Sequence, residues 1–160
     1  MATEKLKFKL ELFSTFWDKK PKLEILINEE SKILKDIDTT EQSPSIVEFE
    51  HECKEGEQYQ LTLKRTGKDK NQTVIDSDGK ITKDQLLHIK SIEIDEIDIG
   101  ALVYEGVYTP DYPEPWYSQQ VEMGKTPPNS FKNVTAMGHN GTWQLKFQSP
   151  FYMWLLENLY

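Results

Sequence analysis

Asp76, Asp78 and Asp84 fall within one short stretch, VIDSDGKITKDQ, with Gly79 directly after the second of them. A loop bent back on itself at that glycine could bring the three carboxylates together. Calcium takes about six to eight oxygen ligands, mostly carboxylates and carbonyls, so these side chains form a candidate calcium site. The same residues also suit a hairpin corner, because Asp-Gly is a favoured turn pair. The EF-hand pattern is not met: Gly79 stands at the wrong place and no Glu closes a loop of about twelve residues. Spacing alone leaves both readings open.

Two further groups could do chemistry of other kinds. Trp17, Tyr112, Trp116 and Tyr117 lie in segments with no strand or helix period. Exposed aromatic faces stack against sugar rings, which makes these four candidate carbohydrate-binding residues. At the other extreme, Phe151, Tyr152, Trp154, Leu155 and Tyr160 crowd the segment SPFYMWLLENLY. An apolar patch of that size is not left in water by a monomer, so these are candidate interface residues. They would cover either their own domain or a partner. Glu48, Glu50, Glu93 and Asp95 could in principle oppose one another as a glycosidase pair, but nothing in their spacing sets two at a working distance. No nucleophile sits in a recognisable elbow, and a non-catalytic protein is expected.

Composition narrows the partners. The formal charge is −8, which repels phosphate backbones and argues against nucleic acid. Lys64, Arg65, Lys68 and Lys70, interrupted by Asp69, read as a solvated hairpin tip. Cys53 is the sole cysteine, so neither an internal disulfide nor a cysteine-based zinc site can form. His51, His88 and His139 have unrelated spacings. The opening MATEKLKFKLELF has no apolar signal-peptide core, and no run approaches the ~20 apolar residues of a membrane span. Synthesis in a cytoplasm and no membrane partner are expected. The sequons at Asn71, Asn133 and Asn140 then read as chance matches.

The elements that must position these residues follow from alternation. KFKLELF, LEILIN, IVEFEHE, YQLTLKR and GTWQLKF each place apolar residues at every second position. SKILKDI reads as the hairpin partner of LEILIN, and EFEHECKEGEQYQLTLKR as a second hairpin turning at Gly56. Leu87 and Ile89 share one parity while Ile92 and Ile94 share the other, which predicts a bulge near Lys90 and Ser91. Residues 108–141 hold prolines and aromatics without a clear period. Ser149 is a plausible N-cap and Pro150 suits the first turn of a short C-terminal helix. The expected fold is all-β: an antiparallel β-sandwich of jelly-roll or carbohydrate-module type. Its core spans 1–107, an irregular Pro/aromatic arm spans 108–141, and a final strand and short helix over 142–160 complete the same domain.

Two resemblances sharpen this. DGKITKDQLLHIKSIEID, together with the strand order FKLELF, KLEILIN, IVEFEH, YQLTLKR, is similar to small calcium-dependent, xylan-binding carbohydrate-binding modules of families 36 and 60. That resemblance puts Asp84 in the place of the Asp opening the family's last strand, implies a calcium ion that touches the sugar, and puts Lys90 where the family has a second Asp. STFWDKKPKLEILI, DSDGKITKDQLLHIKSIEIDEIDIGALV and NGTWQLKFQSPFYMWLLENL resemble small proteins encoded by contractile-tailed marine cyanophages. This implies a virion structural or decoration protein, made in the host cytoplasm, that docks to other virion proteins or to itself. The alternative is a calcium-dependent module that binds a cell-surface or plant-type polysaccharide. The two are compatible in one particle-surface protein.

Overall fold

The computed structural model of the chain describes residues 2–69 and 72–159. Its strands are β1 (Thr3–Thr15), β2 (Lys22–Ile27), β3 (Glu30–Asp36), β4 (Ser45–Lys54), β5 (Gln58–Thr66), β6 (Val74–Ile75), β7 (Ile81–Lys83), β8 (Leu86–Ile94), β9 (Ile97–Asp98), β10 (Val107–Pro110), β11 (Ala136–Met137) and β12 (Gly141–Gln148). Two helices, α1 (Trp116–Glu122) and α2 (Phe151–Leu159), and a 3₁₀ segment at Gly100–Glu105 complete it. One sheet runs β11-β8-β1-β4, with β9 beside β8, and the other runs β10-β12-β5-β2-β3. The β6–β7 pair forms a separate ribbon. Every pairing among the described residues is antiparallel. The fold is the expected all-β sandwich.

Alternation makes the core. Leu6, Phe8, Leu10 and Leu12 of β1 are buried while the charged residues between them are not. They face Leu23, Ile25, Leu61, Leu63, Trp143, Leu145 and Phe147 of the second sheet. Each such side chain contributes on the order of 1.5–3 kcal/mol when fully buried. The predicted bulge is present: Glu11 pairs with Ser91 and Leu12 with Ile89, so Lys90 is skipped and the inward parity changes.

The EFEHECKEGEQYQLTLKR segment is not a hairpin. β4 pairs with β1 and β5 with β2 and β12, in opposite sheets. The turn at Gly56 is an arch between the two layers, held by Gly56 N–H donating to the Ser149 carbonyl and Glu55 N–H to that of Ala2. Two facing strands and two paired strands show the same inward alternation, which is why the pattern could not distinguish them. The basic cluster is also not a solvated tip. Arg65 is fully buried and Lys68 is largely so, while Lys70 lies outside the described residues. The 108–141 segment is more ordered than its composition suggests, because it supplies edge strands β10 and β11 to the two sheets and the helix α1 between them.

At the C-terminal end, Phe151 and Leu155 of α2 are buried and Trp154 packs against the core. The helix start is not capped by the Ser149 hydroxyl as expected. That hydroxyl bonds the Glu4 carboxylate, and Glu4 accepts the Phe151 N–H at 2.8 Å. A carboxylate from β1 thus supplies the cap. Tyr152 (52% exposed), Met153 (60%) and Leu156 (60%) form the outer face, and Tyr160 lies outside the described residues. No helix among those described is long and apolar enough to cross a membrane.

Candidate functional site

The acidic turn is a hairpin corner. Asp76 Oδ1 accepts the backbone N–H groups of Asp78 and Lys80, both at 2.9 Å, and Gly79 takes the positive φ the corner needs. Asp84 is used elsewhere. Its Oδ1 accepts from Lys68 Nζ (2.8 Å), Thr73 Oγ1 (2.6 Å) and the Gln85 N–H (2.8 Å). Among the described residues no group of three or more His, Cys, Asp or Glu side chains could hold a metal ion. Asp76, Asp78 and Asp84 are therefore not brought together as ligands, and the residues do not fit the calcium site that the resemblance implies.

What gathers beside Asp84 is a cleft of about 450 Å³ between the β6–β7 ribbon and the 108–141 segment. Much of its exposed lining is apolar: Ile75 and Ile81 from the ribbon, Pro113, Pro115 and Trp116 from the arm. The less exposed lining is polar: Lys68, Asp84 and His139. Asp111 and Glu114 add exposed carboxylates. Such a site suits a ligand with one apolar face and several hydrogen-bonding groups.

A buried polar network makes the polar side rigid. Arg65 follows Tyr59, Leu61 and Leu63 in the inward parity of β5, and its Nη1 donates to Asn140 Oδ1 (2.8 Å) and its Nη2 to the Gln85 carbonyl (2.7 Å). Burial lowers its pKa to about 10, against the pull of Tyr108 and Asp84, so it remains charged at neutral pH. Asn140 clamps the Lys68 backbone from both sides, accepting its N–H at 3.0 Å and donating to its carbonyl at 2.8 Å. Gln85, fully buried, donates to the Lys19 carbonyl and to Gln72. Burial also lowers the pKa of His139, helped by Lys68 and Arg65 and opposed by Asp84. The ring is neutral at pH 7 and offers one donor and one acceptor. Asp84 is pushed up by burial, but Lys68, Thr73 and the Gln85 N–H outweigh this and its pKa ends below the usual carboxylate value.

Three of the four aromatic candidates meet here. Tyr112 stacks on Tyr117 (5.7 Å between ring centres) and lies 5.5 Å from Trp116, which is itself 5.5 Å from His139. Only Trp116, 37% exposed, lines the cleft. Tyr112 and Tyr117 back it from behind the lining. Trp17 lies apart, its Nε1 donating to the Gln72 carbonyl at 2.8 Å and its ring covered by Lys83 Nζ at 4.6 Å. Sequence reasoning missed Lys68, Asp111, Glu114, His139 and Asn140. The one available signal was the inward parity of Arg65, which marks a buried charge needing partners. The carboxylates Glu48, Glu50 and Glu93 stand on the outer face of the first sheet in register with lysines of β1, Glu48 and Glu93 both opposite Lys9 and Glu50 opposite Lys7. Charges so interleaved read as a ladder of ion pairs.

Fold and cleft together define an antiparallel β-sandwich with a ligand-sized site at one end. No protein-family model matches the chain, and no curated protein matches it. Among solved structures it is similar to the selenomethionine form of vCBM60, described in connection with a circular permutation linking two families of calcium-dependent carbohydrate-binding modules. The TM-score is 0.49 at 7% identity, covering 88% of this chain and 89% of that one.

Proposed function

We propose that this chain is a non-catalytic binding protein that takes a neutral saccharide in the cleft beside Trp116. The supporting observation is the partly exposed Trp116 indole on a cleft whose deeper lining is polar. A pyranose has an apolar C–H face to lay on the indole and hydroxyls that donate to Asp111, Glu114 or neutral His139. Of the four lining carboxylates, Asp69 pairs with Lys19 and Asp84 with Lys68, while Asp111 and Glu114 add exposed negative charge, so a uronic acid would be repelled. Isothermal titration against xylo-, cello- and manno-oligosaccharides and their oxidised, acidic counterparts tests this. Trp116→Ala should weaken the bound neutral sugar on the order of ten- to a hundredfold, as lost aromatic contact of roughly 1.5–3 kcal/mol implies. An unaltered affinity, or no neutral oligosaccharide bound by the wild type at millimolar concentration, would remove the reading.

A second reading is favoured by α2. Its exposed Tyr152, Met153 and Leu156 stand at the far end of β12 from the cleft, about 25 Å away for a strand of this length. Together with the resemblance to cyanophage proteins, this supports docking to another virion protein, or to a second copy, in a phage particle. Met153→Lys with Leu156→Lys should leave the melting temperature within about 2 °C, since both side chains are exposed. The same variant should be missing from purified particles by mass spectrometry. Normal incorporation would count against docking through this face.

A further inference from the structure

We propose that the Lys68 ammonium is the resident cation of the cleft, so that the chain folds and binds its ligand without calcium. The ligand part rests on the saccharide reading; the cation part does not.

The geometry points to this at three places. Lys68 Nζ lies 2.8 Å from Asp84 Oδ1 and 2.5 Å from the Gly138 carbonyl. It thus joins the link between β7 and β8 to the segment leading into β12, and both line the cleft. Bridging two chain segments through oxygens is the structural task a calcium ion would perform. The same carboxylate oxygen also receives the Gln85 backbone N–H, a donor that cannot rotate away. At the acidic turn, Asp76 Oδ1 is filled by two backbone donors. At Lys90, where the related modules carry an acid, an ammonium donates to the Glu41 carbonyl at 2.9 Å. At Asp76, Asp84 and Lys90 alike, an N–H donor stands where a metal ion would need to be.

The ammonium is also preorganised. Asn140 holds the Lys68 backbone on both sides and is itself held by Arg65. The Lys68 and Asp84 side chains are only 11% and 19% exposed, so the pair is weakly screened. A lysine fixed during folding needs no ion from solution, and ligand binding then adds no cost of ordering the site.

The test is thermal unfolding of the wild-type protein in millimolar calcium chloride and in EDTA, with calcium alone titrated calorimetrically. The expected result is no binding heat and melting temperatures that agree within about 1 °C. A rise in calcium that EDTA reverses overturns the proposal. Lys68→Met should lower melting by about ten degrees, the scale of stranding one partner of a buried pair. Lys68→Arg should retain most of the stability. Adding Asp84→Asn to Lys68→Met should cost less than the two single changes combined. An unchanged melting temperature in Lys68→Met also overturns the proposal. For the ligand, the oligosaccharide that binds the wild type should do so within twofold in EDTA and in calcium. Affinity lost in EDTA contradicts the proposal, whereas failure of every oligosaccharide in both buffers removes the saccharide reading and leaves the melting result to decide the cation's role.

Discussion

Gly106→Ala is expected to cost about 3 kcal/mol or more, at the upper end of what overpacking a core does. The reason is space alone. Gly106 has φ −62° and ψ 145°, a conformation open to any residue. A methyl group there would lie 2.2 Å from Cε2 and Cζ2 of Trp143 and 2.4 Å from its Nε1. Trp143 cannot move aside. It is fully buried, and its strand pairs on both edges, with Leu63 of β5 and Tyr108 of β10. The contacted atoms belong to the body of a ring, not to the flexible end of a chain. Gly138→Ala is the control: its nearest neighbour would be the end of the Leu86 side chain at 3.3 Å, which can give, so the change should stay within about 1 kcal/mol. Urea unfolding of both variants checks the pair. Equal stabilities would mean that the indole has room the structure does not show.

Asp84→Ala should cost about 3–5 kcal/mol, because it strands the Lys68 ammonium and removes the acceptor for Thr73 and the Gln85 N–H at once. The loss should be the same with and without calcium, whereas a metal ligand would show it only when calcium is present. The sign of the pH dependence follows from the same contacts. The folded-state pKa of Asp84 is lowered below its ordinary value of about 3.8. Its contribution to stability is therefore complete above roughly pH 5 and is lost as pH falls through the folded-state value below 3.8. Wild-type stability should decline over that acid range more steeply than that of Asp84→Asn, which has no charge to lose. Parallel acid-unfolding curves for the two would show that the pair contributes nothing.

The outer face of the first sheet, with lysines of β1 between glutamates of β4 and β8, adds little by comparison. Its Lys5–Glu50 and Lys9–Glu93 pairs are long, at 3.7 and 4.0 Å, and well exposed, where such pairs contribute about 0–1 kcal/mol. The polar interactions that matter lie around Arg65, Lys68 and Asp84, at the cleft end of the sandwich.

Period-two alternation determined most of the architecture from the chain alone. It marked β1, β2, β4, β5, β8 and β12, chose their buried faces, and placed the bulge opposite Glu11 and Leu12 through a change of parity. It did so because every second side chain of a half-buried strand must be apolar, whatever lies opposite. Alternation is silent about what does lie opposite. The β4–β5 arch, the division of the 108–141 segment between both sheets, and the Glu4 carboxylate capping α2 were each decided by tertiary packing. The cleft belongs to the same class. Lys68, Asp84, Asp111, Trp116 and His139 come from separate segments with no common period, and their meeting depends on where loops cross at one end of the sandwich. Local spacing left Asp84 open to a metal or to a polar turn; only the folded chain brought a lysine to it.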